Sequence, residues 1–353
     1  MELLFAYEYQ RALRRERVYK DPQDFLHIAD EELIRNYRFP RNEIINFILE
    51  FEPQLKRNTL RSHAIPVSTQ ILVALRFYAS GSFQNVVANS SGLSQQSVSK
   101  IITSVSNILA EKARNEIKMP AGILQLQQTM RDFYTVAGFP RVIGVIDASH
   151  IPIKAPSEDE LVFVNRKKYH SLNIQVVCDA KRVIINYVVN YPGSTRDAFI
   201  WNNSTLRTRF QHGEFRDGIL LGDGGYPLEP FLMTPIANPG LPAEEEFNRC
   251  HTRTRAIIGQ TLGVLKSRFR CLHKSGGNLQ YEPLKCAKII AACLLLHNQC
   301  IKKNIPNPAD EQAEDHVELE DQDHDEMHQT QYQSEAARGL GGQVRRALVE
   351  NFF

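Results

Sequence analysis

Residues 141–147 read RVIGVID, a continuous apolar run of β-branched residues closed by an acid. Unbroken apolar character over so short a stretch predicts a strand buried on both faces. Two more strands follow, SLNIQVVCD (171–179) and RVIINYVVNY (182–191), so close together that they predict a hairpin. PGSTRDAFIWNNSTLRTRF (192–210) predicts a turn and then a helix capped near Ser194 or Thr195. GILLGD (218–223) is a further short buried strand ending in Asp223, and GGYPLEP (224–230) is loop. Helical spacing returns over 251–270 and 283–303. This order of strands and helices specifies a mixed α/β domain over about residues 138–304.

The region before it is predicted to be all-α. Residues 1–64 carry apolar positions at helical spacing, broken at Pro40. Over 65–120, Pro66 and Ser68 open a helix that Gly81 ends, and Ser94 caps a last helix after the turn at Gly92. Helix, glycine-containing turn and Ser-capped helix is the layout of a helix-turn-helix. Its second helix presents Gln95, Gln96, Ser99, Lys100 and Thr103, either to DNA or simply to solvent as the polar face of a helical hairpin.

The 353 residues allow two domains, or one large domain with an appendage. Hydrophobic residues make up 42%, and no run of 18 apolar residues predicts a membrane span. The N-terminus, charged from its second residue, does not read as a secretory signal. Six cysteines without paired short spacings suit a reducing compartment, and Cys286, Cys293 and Cys300 read as one buried helical stripe rather than metal ligands. Residues 310–326 hold ten acids and no Lys or Arg. Without those ten, the net charge of +2 becomes +12 for the rest. A basic body with a separate acidic segment suits a polyanionic partner, and residues 305–353 are expected to form an acidic, largely disordered tail.

Asp147 and Asp223 share one context, each closing a glycine-containing apolar strand. Carboxylates on neighbouring strands repel unless a cation sits between them, and hard divalent ions take carboxylate oxygens. The bland alternative is a pair of turn-forming aspartates. Around them the sequence supplies cations suited to DNA: Arg166, Lys167, Lys168 and His170 in NRKKYH, then Arg255, Lys266 and Arg268, with His251 and Arg249 nearby. No GxSxG elbow, HExxH, Walker loop or CxxC pair is present.

Six ordered blocks carry a resemblance: GVIDASHIPI, NRKKYHSLNIQVVCD, YPGSTRD, GDGGYPLEPFLMTP, FNRCHTRTRAIIGQTLGVLKSRFRCL and LLLHN. Together they resemble the PIF/Harbinger transposases over about residues 66–304. That resemblance implies a ribonuclease-H-like fold and a DDE triad of acids holding two Mg²⁺ or Mn²⁺ ions, with Asp147 first and Asp223 second. The third acid, a glutamate after an isoleucine, falls on Gly259, 36 positions after Asp223. Substitute acids would be Glu229, Glu244, Glu245 or Glu246, whereas Gly263 fits the family pattern and suggests close helix packing. The resemblance also implies DNA, a Myb/SANT-like DNA-binding protein and further copies of the chain as partners, and a nuclear location. Two functional readings follow: a metal-dependent nuclease impaired at position 259, or a catalytically silent protein that binds DNA and a partner.

Overall fold

A computed structural model describes residues 27–56, 64–307 and 335–353. The acidic run 310–326 and the first 26 residues lie outside these ranges. The N-terminal helices are α1 (Asp30–Tyr37), α2 (Arg41–Leu55), α3 (Val67–Ser80), α4 (Gln84–Ser91), α5 (Gln95–Glu116) and α6 (Ile123–Ala137). The expected punctuation operates: Gly81 and Gly92 take left-handed φ values of 68° and 67° at the ends of α3 and α4. The Ser94 hydroxyl accepts the Ser97 amide at the start of α5.

The sheet consists of β1 (Val142–Pro152), β2 (Ser171–Cys178), β3 (Ile184–Pro192), β4 (Ile219–Leu221) and β5 (Leu232–Met233), in spatial order β3-β2-β1-β4-β5. β1, β2 and β3 form the antiparallel meander that the hairpin spacing predicts, and β4 pairs parallel to β1. Helices α7 (Asp197–Asn202) and α8 (Thr205–Gln211) link β3 to β4. They are followed, after β5, by α9 (Pro242–Arg268), α10 (Pro283–Lys302) and α11 (Glu335–Phe352).

β1 does not stop at Asp147. It continues to Pro152 because residues 148–152 pair with β2 over Ala148↔Gln175 to Pro152↔Ser171. α9 starts at Pro242, earlier than the expected 251, with Glu244 accepting the amides of Gly240 and Leu241.

α10 is the shared wall of the molecule, packing on α5 on one side and on β3 on the other. One hydrophobic cluster runs from Leu33 through the sheet to Val349, so the division near residues 120–138 separates elements rather than cores. Cys286, Cys293 and Cys300 lie in this core, as their spacing suggests. α10 has the length and apolar content of a membrane span, but most of it is buried inside the protein.

The end of the chain departs from the expected disordered tail. Residues 335–352 form α11, which buries Leu348 and Val349. The Phe353 ring packs on Phe139 and Phe247, with centroids at 5.4 and 5.6 Å. The Arg345 guanidinium donates to the carbonyls of Thr234 and Pro235. The ten acids mask these apolar positions in any compositional average over 305–353.

Candidate active site

The parallel register of β1 and β4 sets Val145 opposite Leu221. Asp147 and Asp223 each stand two residues further along, so they project side by side on one face of the sheet. Asp147 lies where β1 outruns its shorter neighbour, and Asp223 lies just past the end of β4. Asp147 Oδ1 accepts the Ala148 amide at 2.9 Å, and Asp223 Oδ1 accepts the Gly225 amide at 3.0 Å. Burial pushes the Asp147 carboxyl up to about 7; Arg255 opposes the shift, and the charges of Asp223 and Asp197 add to it.

The sequence reading missed two residues here. Asp197 opens α7 and accepts from Asn173 Nδ2 at 2.9 Å, and its charge acts on Asp147. Tyr226 is buried, and its hydroxyl has no hydrogen-bond partner among the described residues. Burial raises its pKa well above the ordinary value, with Asp197, Asp147 and Asp223 adding to the rise. The sequence puts the helix cap near Ser194 or Thr195 and Tyr226 in loop; only the placement of Asp197 and Tyr226 in the blocks YPGSTRD and GDGGYPLEPFLMTP signals them.

Helix α9 crosses this face. Arg255 Nη1 donates to Asp147 Oδ2 at 3.0 Å. One turn on, Gly259 is exposed, and a Cβ built there meets nothing within 4 Å. Gly263 is equally open, so it does not serve close packing on the sheet. Periodicity sorts the basic residues of α9. His251, Thr254, Ile258, Thr261, Leu265 and Arg268 form its buried face.

Two of the expected cations therefore leave the DNA-facing set. Arg268 is buried and donates to the carbonyls of Ile305 and Pro306, tying α9 to the end of α10. His251 is buried with Nε2 3.2 Å from the Met233 carbonyl, and burial lowers its pKa to about 4, so it is neutral at pH 7. His170 Nε2 lies 3.0 Å from a Glu160 carboxylate oxygen, a local contact within the loop before β2. Arg166, Lys167 and Lys168 are exposed on that loop, Lys100 is exposed on α5, and Lys266 is half-buried in the last turn of α9.

Three of the four substitute acids are engaged elsewhere. Glu229 is buried, paired with Arg207 at 2.7 Å and accepting from Trp201 Nε1 at 2.8 Å. Glu244 caps α9, and Glu246 pairs with Arg249. Glu245 lies in the first turn of the same helix.

The hard oxygen donors of Asp147 and Asp223, beside an unpartnered buried phenol, fit one hard divalent cation. Among the described residues, no group of three His, Cys, Asp or Glu side chains is arranged to hold an ion.

Comparison with known proteins supplies the family. Residues 146–298 match the model of a DDE superfamily endonuclease, a class that generally uses divalent metal ions. The chain is 42% identical over 271 residues to the human protein named "Putative nuclease HARBI1", covering 77% of this chain and 78% of that one. Its Xenopus laevis counterpart is 38% identical, covering 79% and 80%. An Arabidopsis thaliana protein named ALP1-like is 26% identical, covering 66% and 60%. No solved structure matches. With this identity spread over three quarters of its length, the chain belongs to the family of Harbinger transposase-derived nucleases.

Proposed function

We propose that the protein is a transposase-derived, DNA-directed nuclease of ribonuclease-H-like fold whose metal site is impaired. The observation that carries this reading is the in-register pair Asp147 and Asp223 facing a helix that is open and without a side chain at Gly259. Asp147 and Asp223 would hold a single Mg²⁺ or Mn²⁺. Such an ion, when bound, supplies Lewis-acid stabilisation and lowers the pKa of its water. The protein's own groups do the rest. The strand register fixes the two carboxylates, and exposed Arg166, Lys167 and Lys168 together with Lys100 supply phosphate contacts.

The nuclease domain implies a nucleic-acid substrate, and the resemblance to the PIF/Harbinger transposases alone motivates the rest of the proposal: DNA, a Myb/SANT-like protein and further copies of the chain as partners, and a location in the nucleus and also the cytoplasm. A second reading, a catalytically silent protein that binds DNA and a partner, is favoured by one observation: Glu229, Glu244 and Glu246 are all committed to other contacts, so none replaces the missing acid.

The test is cleavage of supercoiled plasmid in Mn²⁺ by wild type, Gly259→Glu and Asp147→Ala. Slow wild-type cutting, a gain of at least tenfold in Gly259→Glu and loss in Asp147→Ala are expected, since restoring a ligand acts directly on transition-state stabilisation. Robust wild-type cutting that survives Asp147→Ala refutes the assignment. No cutting even by Gly259→Glu, with DNA binding intact, selects the silent reading.

A further inference from the structure

Arg255 and Gly259 stand four residues apart on α9, the spacing that stacks side chains one above the other on a helix face. The Arg255 guanidinium donates to Asp147 Oδ2 at 3.0 Å, and the two side chains are 13% and 21% exposed. The other Asp147 oxygen accepts the Ala148 amide. Both oxygens are thus engaged before any ion arrives. A guanidinium does not deprotonate in proteins, so it leaves a carboxylate only by moving away. A guanidinium held at 3.0 Å from Asp147 also repels a second cation on that carboxylate, so Arg255 and the divalent ion compete for it.

What moves the guanidinium away is a competing acceptor within its reach. Position 259 is where the helix would provide one: a Cβ there meets open space, and its side chain would lie beside that of Arg255. Glycine provides nothing. Asp147 is the hydrogen-bond acceptor the structure gives for Arg255 among the described residues.

We propose that Arg255 is a resident cation on Asp147 that competes with the divalent ion, and that Gly259 keeps it there by removing the acceptor that would draw it off. Arg255 is thus a positioning residue. The absence at 259 acts twice, removing a ligand and leaving another ligand blocked. This rests on reading Asp147 and Asp223 as a divalent-cation site.

The experiment is Mn²⁺ binding to the full chain at pH 8, read as free Mn²⁺ by electron paramagnetic resonance, with circular dichroism as the folding control. The variants are Arg255→Met, Arg255→Gln, Gly259→Glu, the double variant Arg255→Met/Gly259→Glu, and Asp147→Asn alone and combined with each of these. Arg255→Met adds no oxygen ligand, yet it is expected to tighten Mn²⁺ binding about tenfold, the weight of one charge-assisted hydrogen bond. Arg255→Gln removes the same charge where methionine disturbs folding, at the cost of adding a neutral amide oxygen, a weaker ligand than a carboxylate.

Gly259→Glu is expected to tighten binding as well. The double variant should then gain less than the product of the two single gains, because both changes release the same oxygen. Unchanged or weaker binding in both Arg255 variants, with Gly259→Glu still tightening in a manner lost in Asp147→Asn, overturns the proposal and leaves the cation site standing. Strictly multiplicative gains in the double variant overturn the coupling to position 259. Binding that is indifferent to Asp147→Asn in every background overturns the cation site itself, and the proposal with it.

Discussion

Asp147→Asn turns the raised pKa of this carboxyl into a measurable stability. In the folded protein the group ionises near 7, against an ordinary value of 3.8. Between those values the folded state holds a proton that the unfolded chain has released. An acid with a raised folded pKa therefore lowers stability as pH climbs, and the loss is complete only above the folded value. Between pH 5 and pH 8, integration of this linkage gives a loss of about 2–3 kcal/mol. Burial is the largest cause, with Asp223 and Asp197 adding to it and Arg255 opposing it. Asparagine keeps the shape and stays neutral, so this part of the pH dependence disappears. The assay is urea unfolding of wild type and variant in EDTA at both pH values, followed by circular dichroism. The variant should gain about 2–3 kcal/mol relative to wild type on going from pH 5 to pH 8. Parallel stability profiles across that range would refute the reasoning, because they would mean that Asp147 ionises alike in both states.

Three further outcomes follow from the placement of charges. Arg268→Met should cost about 2–3 kcal/mol in urea unfolding, by stripping the carbonyls of Ile305 and Pro306 of their donor, while leaving the salt dependence of DNA binding unchanged. Glu229→Gln should cost about 3 kcal/mol by leaving Arg207 beside a neutral amide, without altering Mn²⁺ affinity; a loss of Mn²⁺ binding in the folded variant would show that Glu229 belongs to the site. Lys167→Gln/Lys168→Gln should weaken binding to any DNA sequence and reduce the slope of log K against log salt by about 2, as measured by fluorescence anisotropy. An unchanged slope would remove this loop from the interface.

The strands of the sheet were legible because burial writes itself as unbroken apolar runs, and RVIGVID needed no neighbour to be read. β5 was not, since two residues are too few to show any period. The pairing of Asp147 with Asp223 was readable as a shared context, but their closeness is a property of strand register, which no single segment encodes. Asp197 stayed hidden for the same reason: its partner Asn173 lies 24 positions earlier, on β2. Arg268 and His251 show the opposite case. Their positions on the apolar stripe of α9 were countable in the sequence, yet their charge drew attention before their phase did.

The docking of α11 changes what a truncation measures. The acidic run 310–326 connects two elements held in the fold, α10 and α11, instead of trailing from one. A chain cut after Asn307 loses twelve acids and three arginines, a net nine negative charges, and, in the same stroke, the helix whose end covers Phe139 and Phe247. Tighter DNA binding in such a chain would report the charge, while aggregation or a lower melting point would report bared aromatic surface. Replacing the acids with their amides while keeping α11 separates the two, and treats the segment as what its two ends make it: a bridge.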